Sequence, residues 1–266
     1  MSVSVTKTYS TILFSQTEGL AQITFNRPER LNAISVDVLM ESSDAIDTAL
    51  ANGARALLLT GAGRAFSAGL DLVDAGERHA RGDNDNILDE YFAPFARKLA
   101  ELPIPIVSAI NGAAIGGGCA IALSADVIIA RRSSYLQCPF VRLGLVPDTG
   151  TTWLIARSVG RTRALDLLLL GERMSAEDAC LAGLITRVVD DERFASTAQD
   201  LVNRLASGPT VALSLIRSQV ASALTLGFDD MLKVESQNQL IAGATLDVKD
   251  SLMAFAEGRP PNFVGK

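Results

Sequence analysis

Histidine occurs once in this chain, as His79, and tryptophan once, as Trp153. The three cysteines, Cys119, Cys138 and Cys180, stand far apart with no paired spacing. Neither a His- or Cys-rich metal centre nor a disulfide framework has a basis here, and buried free thiols in a reducing compartment are expected. Basic charge is in deficit: 24 Lys and Arg against 30 Asp and Glu leave a formal net charge of −6. That argues against nucleic acid or an anionic membrane as a partner, because both attract a basic surface. The opening run MSVSVTKTYST lacks the apolar core of a signal peptide, so a cytoplasmic location is expected. Low-complexity tracts and clear sequence repeats are missing too. One stretch, 102–125, carries no charge and has the length of a membrane span. Pro103, Pro105, Asn111 and Gly112 break it into a strand, a turn and a helix, so it reads as buried α/β core.

What is present is an apolar chain of 266 residues, 48% hydrophobic and 20% charged. That suits one large domain with a sizeable core, or one domain with a small appendage. Runs at 11–14 and 20–26 around Glu18-Gly19 predict a β-hairpin. Ser35 predicts a helix cap, with Val36, Leu39, Met40 and Ile46 on one helical face to about residue 50. Residues 54–60 and 127–130 and the run Ile106 to Ile110 read as buried strands. The polar segment 75–86 reads as a surface loop that places His79 in solvent, and 87–100 as a helix. Beyond Thr149 the pattern is almost wholly helical. Ser175-x-x-Asp178 resembles a capping box, and Pro209 after Gly208 suits a helix start. The expected division is an α/β core over 1–190 and a helical region over 191–266.

Two glycine loops follow buried strands. One is GAGRAFSAGLD, 61–71; the other runs into IGGGCAIALSAD, 115–126. Glycine is a poor helix former, yet a helix is predicted to begin near Gly117. The first N–H groups of a helix have no internal acceptor, and glycine lets a ligand approach them closely. Two such loops on neighbouring parallel strands could aim two N–H groups at one developing oxyanion. The alternative is that the glycines only permit tight helix–strand packing. Gly61-x-Gly63 is a poor dinucleotide fingerprint, since Phe66 occupies the third glycine position.

The stretches NRPERLNA (26–33), LLLTGAGRAFSAGLDL (57–72), PIPIVSAINGAAIGGGCAIALSADVIIA (103–130), LGLVPDTGTTW (143–153) and AFAEGRPPNFVGK (254–266) resemble, in order and spacing, the enoyl-CoA hydratase/isomerase (crotonase) superfamily. The resemblance spans nearly the whole chain. It implies an α/β spiral of ββα units with a C-terminal helical trimerisation region, and a homotrimer or dimer of trimers. It implies an acyl-CoA thioester as substrate, with coenzyme A entering as part of that substrate and no other cofactor or metal. It assigns the oxyanion-hole N–H groups to Leu70 and Gly117. It places Ala68, Gly69, Asp71, Gly116 and Phe140 around the substrate. Arg30 matches a CoA-contacting position, though a solvated loop arginine fits it equally.

The resemblance also exposes an absence. Hydratases of this group use two glutamates, and the matching positions hold Ala120 and Phe140. Hydration needs a group to activate water and another to protonate carbon, and neither side chain can do so. A different carboxylate, Asp148, stands in LGLVPDTG. Read locally, Asp148 is a helix N-cap. Read through the resemblance, it matches the single catalytic Asp of phenylacetate-pathway isomerases acting on epoxide and oxepin CoA thioesters, the group this chain most resembles. Burial among Phe140, Leu145 and Val146 would raise its pKa towards that of a useful base. A nucleophilic Asp148, as in a chlorobenzoyl-CoA dehalogenase, ranks behind, because the dehalogenase also uses a His and a Trp. Ser67 lies beside the expected hole without an evident base. The expected activity is double-bond migration or ring rearrangement of an unsaturated acyl-CoA. The alternatives are a hydratase or other crotonase-type lyase, and a non-catalytic CoA-binding trimer.

Overall fold

A computed structural model describes residues 4–82 and 86–266, with the side chains of Ser4 and Val5 excepted. β1 (Ser4–Thr8), β2 (Ile12–Thr17) and β3 (Leu20–Phe25) form an antiparallel meander. The expected hairpin joins β2 to β3, and Glu18 and Gly19 both take positive φ, as a two-residue turn of this kind requires. α1 (Val36–Ala51) follows, capped as expected by the Ser35 side chain, which accepts from the Val38 N–H at 3.4 Å. Its buried stripe runs through Val38, Leu39, Ser42, Ala45, Ile46 and Ala49. Met40 falls outside that stripe and is exposed, contrary to expectation.

The chain then repeats a strand–strand–helix unit three times. The first unit is β4 (Ala56–Gly61), β5 (Ala65–Ser67), α2 (Leu72–Ala80) and α3 (Ala93–Glu101). The second is β6 (Ile106–Ile110), β7 (Ala113–Ile115) and α4 (Gly117–Leu123). The third is β8 (Val127–Arg131), β9 (Tyr135–Gln137) and α5 (Thr151–Leu170), the last kinked where Gly160 leaves helical geometry. The chain continues with β10 (Arg173–Ser175), α6 (Ala176–Leu181) and β11 (Arg187–Val189). In each unit the first strand joins a seven-stranded sheet of order β1-β2-β3-β4-β6-β8-β11, parallel from β3 onward. The second strand joins a four-stranded sheet of order β10-β9-β7-β5. This is the expected α/β spiral of ββα units. Strands of the smaller sheet are three residues each, too short to show a period of two, which is why the sequence did not announce them.

Two readings are corrected here. Residues 75–80 are not loop but the body of α2, nucleated by Asp71, whose side chain accepts from the N–H groups of Val73 (3.1 Å) and Asp74 (3.2 Å). His79 therefore sits in the last helical turn, exposed as expected, and residues 83–85 lie outside the described residues. The boundary at 190 also divides what packing joins. α7 (Phe194–Ala206) lays Phe194, Ala198, Val202 and Ala206 across Ala56, Leu58, Val107, Ala109 and Ile129 of the large sheet. That four-residue spacing is one helical face, and it covers the sheet surface opposite the main core.

The remaining helices, α8 (Thr210–Ala223), α9 (Phe228–Gly243) and α10 (Leu246–Glu257), stand further out. α8 is fastened by Arg217, which pairs with Asp126 at 2.6 Å and donates to the carbonyls of Leu99 (3.0 Å) and Leu102 at the end of α3. Ile216, Val220, Phe228, Leu240, Ile241, Leu252 and Phe255 on these helices are exposed. No helix among the described residues is long and apolar enough to cross a membrane.

If α7 is core, Phe194→Ala is expected to cost about 3–5 kcal/mol in chemical denaturation, as truncation of a buried aromatic does. A loss below about 1 kcal/mol, typical of a surface position, would place α7 with the outer helices.

Candidate active site

The two glycine loops meet at the C-terminal ends of β4 and β6. Between them no side chain intervenes: a Cβ added to Gly69 would stand 2.7 Å from the Ile115 carbonyl oxygen and 3.4 Å from the Gly117 nitrogen. Neighbouring Gly118 is pressed on Ser67, where an added Cβ would fall 2.6 Å from Cβ and Oγ. Gly116 takes φ 53 and ψ −125, a backbone open only to glycine. The glycines thus permit close packing of one loop on the other.

The peptide plane fixes where the N–H groups point. The Gly69 carbonyl accepts from the Ile34 N–H at 2.7 Å. In a trans peptide the next N–H points the opposite way, so that of Leu70 faces away from Ile34. The Gly116 carbonyl accepts from the Ala120 N–H at 3.1 Å, so the Gly117 N–H points out of the start of α4. Among the described residues neither N–H has a protein acceptor. Two buried asparagines hold the first loop in shape. Asn32 donates to the carbonyls of Ala62 and Ala65, both at 2.8 Å, and Asn111 donates to that of Gly63 at 3.0 Å. Sequence reading missed both, since an isolated Asn carries no signal until its loop is folded around it.

Asp148 lies at this junction. The next residue, Thr149, donates its hydroxyl to Asp148 Oδ1 at 2.9 Å. That same Thr149 Oγ1 is 4.0 Å from where a Cβ on Gly117 would be. The Thr149 side chain thus lies against both the Asp148 carboxylate and Gly117. Asp148 is not the N-cap of α5: that position is Gly150, and no side chain caps the helix. Only the backbone carbonyl of Asp148 serves the turn, accepting from the Thr151 N–H at 2.8 Å. Burial pushes the Asp148 carboxyl above its ordinary value, against the Thr149 hydrogen bond and its own backbone N–H, which lower it. The walls expected around it are only partly present. Phe140 is buried, with its ring 3.8 Å from a Cβ added to Gly116, but Leu145 and Val146 are exposed, at 55% and 79%. Phe92, which sequence reading did not single out, packs against Gly117 instead, 3.3 Å from an added Cβ. It ends a π-turn, Leu88–Phe92, leading into α3.

Asp71, expected near the substrate, has a structural role in the fold. It is 3% exposed, caps α2 and pairs with Arg27 at 2.8 Å. Burial pushes its carboxyl up, but the Asp74 N–H, the Arg27 guanidinium and the charge of Arg30 outweigh this and hold it below the ordinary value. Arg30 itself is exposed on the turn Pro28–Arg30. Ala68 is half-buried, its N–H donating to the Leu31 carbonyl at 2.9 Å. Ser67 is fully buried and its hydroxyl accepts from the Gly69 N–H at 3.1 Å, so it braces the loop. Ala120 and Cys119 are buried in α4. The Cys138 thiol beside it, and then burial, push the Cys119 thiol well above its ordinary value, which makes it a poor nucleophile. Among the described residues no group of His, Cys, Asp or Glu is arranged to hold a metal. A recess of 1520 Å³ lined by Glu18, Arg55, Val127, Arg187 and Asn203 lies at the opposite, N-terminal ends of the parallel strands, away from all these groups.

The sequence profile of the enoyl-CoA hydratase/isomerase family matches residues 15–266. The chain is 41% identical to the 1,2-epoxyphenylacetyl-CoA isomerase of Escherichia coli K12, over 96% of this chain and 98% of that one. It is 38% identical to a protein of Rhodobacter capsulatus named "Probable enoyl-CoA hydratase", over 97% and 99%. The crystal structure of an enoyl-CoA hydratase from Bacillus anthracis superposes with a TM-score of 0.87 at 28% identity, covering 99% of both chains.

The two aspartates should respond oppositely to substitution and to pH. Asp71 has a folded pKa below its unfolded value, so its contribution is present at neutral pH and lost as pH falls through the folded pKa. Asp71→Ala is expected to cost on the order of 3 kcal/mol at pH 7, with the loss shrinking in acid. Asp148 has a folded pKa above its unfolded value, so its charge opposes folding, and stability falls as pH rises from the unfolded to the folded pKa. Asp148→Asn should therefore melt at or above the native temperature at pH 7, and the gain should vanish in acid. Thermal melts across about pH 2–8 read both signs.

Proposed function

The chain belongs to the enoyl-CoA hydratase/isomerase family, and from that premise we propose that it is an acyl-CoA isomerase working through one carboxylate. The observation that carries this reading is Asp148: a carboxyl with a raised pKa, freed from helix capping and linked through Thr149 to Gly117. A thioester carbonyl seated between the N–H groups of Leu70 and Gly117 is polarised, which acidifies the carbons conjugated to it. Asp148 takes a proton from one carbon of a β,γ-unsaturated acyl-CoA. The resulting dienolate places its negative charge on the oxygen held by the two N–H groups. Asp148 then returns the proton two carbons away, and the double bond has moved into conjugation. No water is consumed, so a second acid–base group is not needed.

The similarity to an epoxyphenylacetyl-CoA isomerase supports an isomerase, and a ring-bearing acyl group as one class of substrate. The similarity to a hydratase keeps water addition as the second reading. Against it stand Ala120, fully buried in α4, and Phe140, whose ring replaces a second carboxylate beside Gly116. Coenzyme A is part of the substrate in this proposal, and no further cofactor takes part. The proposed assembly is a homotrimer or dimer of trimers. Phe228, Leu240 and Phe255, 78%, 74% and 90% exposed, form apolar surface that association would cover.

In heavy water, native protein is expected to introduce deuterium into a β,γ-enoyl-CoA while shifting its double bond, as read by mass spectrometry. Asp148→Asn should bind the thioester yet lose both activities at least about a hundredfold, because an amide is not a base at neutral pH. Hydration of crotonyl-CoA should be slower than by an enzyme with two carboxylates by at least about 10²-fold. Near-native isomerisation by Asp148→Asn would reduce Asp148 to a structural residue. Brisk hydration independent of Asp148 would favour the hydratase reading. Sedimentation at micromolar concentration should show trimers or larger; a stable monomer would contradict the proposed assembly.

A further inference from the structure

Among the described residues, four non-glycine residues have positive φ: Glu18, Leu31, Asn32 and Thr149. Only Thr149 is β-branched. At φ 52 its branched Cβ is a genuine outlier, since the left-handed region crowds such side chains most. With Gly150 at φ 78 and the Thr151 N–H returned to the Asp148 carbonyl at 2.8 Å, residues 148–151 form a tight turn with both central residues left-handed. Such turns favour Asn-Gly or Gly-Gly at the centre. Thr is a costly choice there, and strain of this kind persists where surrounding structure holds it for a purpose. The one polar group that Thr adds over Gly is its hydroxyl, and that hydroxyl is donated to Asp148 Oδ1. Besides this hydroxyl, only the residue's own backbone N–H acts on the Asp148 carboxylate as a donor, and no second side chain does among the described residues.

Resting on the single-carboxylate reading above, we propose that Thr149 is a positioning residue. Its hydroxyl ties down Oδ1, fixes the carboxylate plane beside the Gly117 N–H, and leaves Oδ2 as the oxygen that carries the proton. The strained turn is what brings the hydroxyl round. Because the turn is left-handed at both central residues, the Thr149 side chain is directed back between Asp148 and Gly117, with Oγ1 4.0 Å from the Gly117 Cβ position. The groups acting on Asp148 ionisation are burial, the Thr149 hydroxyl and its own backbone N–H; no lysine, arginine or second carboxylate among the described residues contributes. A hydroxyl donated to a carboxylate favours the charged form, so its removal moves the base to a higher pKa.

The test measures deuterium exchange and isomerisation of β,γ-hexenoyl-CoA across pH in native protein, Thr149→Ser, Thr149→Val and Thr149→Gly. Thr149→Gly removes both strain and hydroxyl, so it should melt at or above the native temperature while kcat falls about ten- to a hundredfold with KM little changed. Thr149→Val keeps the branch without the hydroxyl, and the acid limb of its kcat/KM profile should move to higher pH. Thr149→Ser keeps the hydroxyl and should keep the native profile. A Thr149→Gly protein with native kcat and native pH profile would overturn the proposal, leaving Thr149 a turn residue. Native protein without exchange, or an Asp148→Asn protein that retains it, would instead overturn the single-carboxylate reading, and the role of Thr149 with it.

Discussion

The approach of Gly69 to Gly117, backbone on backbone, is the constraint around which the rest of the protein is arranged. A single methyl at Gly69 would strike the Ile115 carbonyl, and one at Gly118 would strike Ser67. With those methyls absent, two chain segments that leave adjacent parallel strands converge until Gly69 lies against Ile115 and Gly117. Everything nearby preserves that convergence. Asn32 and Asn111 replace the sheet hydrogen bonds that the loop 61–69 gives up. Ser67 braces Gly69, and Ile34 takes the Gly69 carbonyl and so turns the Leu70 N–H inward. Buried polar groups of this kind stabilise only when fully paired, and here they are paired to the loop whose shape matters.

Two aspartates near this point show how burial is divided between stability and chemistry. Asp71 has a helix N-terminus and an arginine to hold its charge, and it holds α2 in place. Asp148 is desolvated with one hydroxyl for company, and its charge opposes folding. The support given to Asp71 favours its charged form, whereas the burial of Asp148 favours the neutral one. The strained Thr149 belongs on the same side of that division, where local stability is given up at a site the fold over-determines.

The spiral architecture explains why such a site can be built from so few side chains. Each ββα unit sends one strand to the large sheet and one to the small sheet, so successive strand ends arrive at one edge in register. The two glycine loops meet through backbone, and the core behind them is nearly all aliphatic and aromatic. α7 closes the back of the large sheet, and Arg217 carries the outer helices by capping α3.

Much of this was legible in the linear order of residues. The β2–β3 hairpin, the Ser35 and Ser175 caps, the buried strands and the start of α4 at Gly117 each rest on signals that act within one turn or one strand. The family resemblance, and the identities of Ala120 and Phe140 where hydratase carboxylates were expected, were likewise settled by sequence. What local signals could not reach was decided by packing. Asp71 and Asp148 each stand shortly before a helix, and only the fold shows that Asp71 caps one and Asp148 does not. The polar segment after residue 72 became helix because Asp71 is anchored by Arg27, far back in the chain. The stretch 194–206 became core because a sheet face lay open to its four-residue stripe. The site itself is a contact between Gly69, Gly117 and Thr149, residues that no local pattern connects. Glycine has no side chain with which to advertise a neighbour, so that contact exists only once the sheet has aligned the strands that carry it.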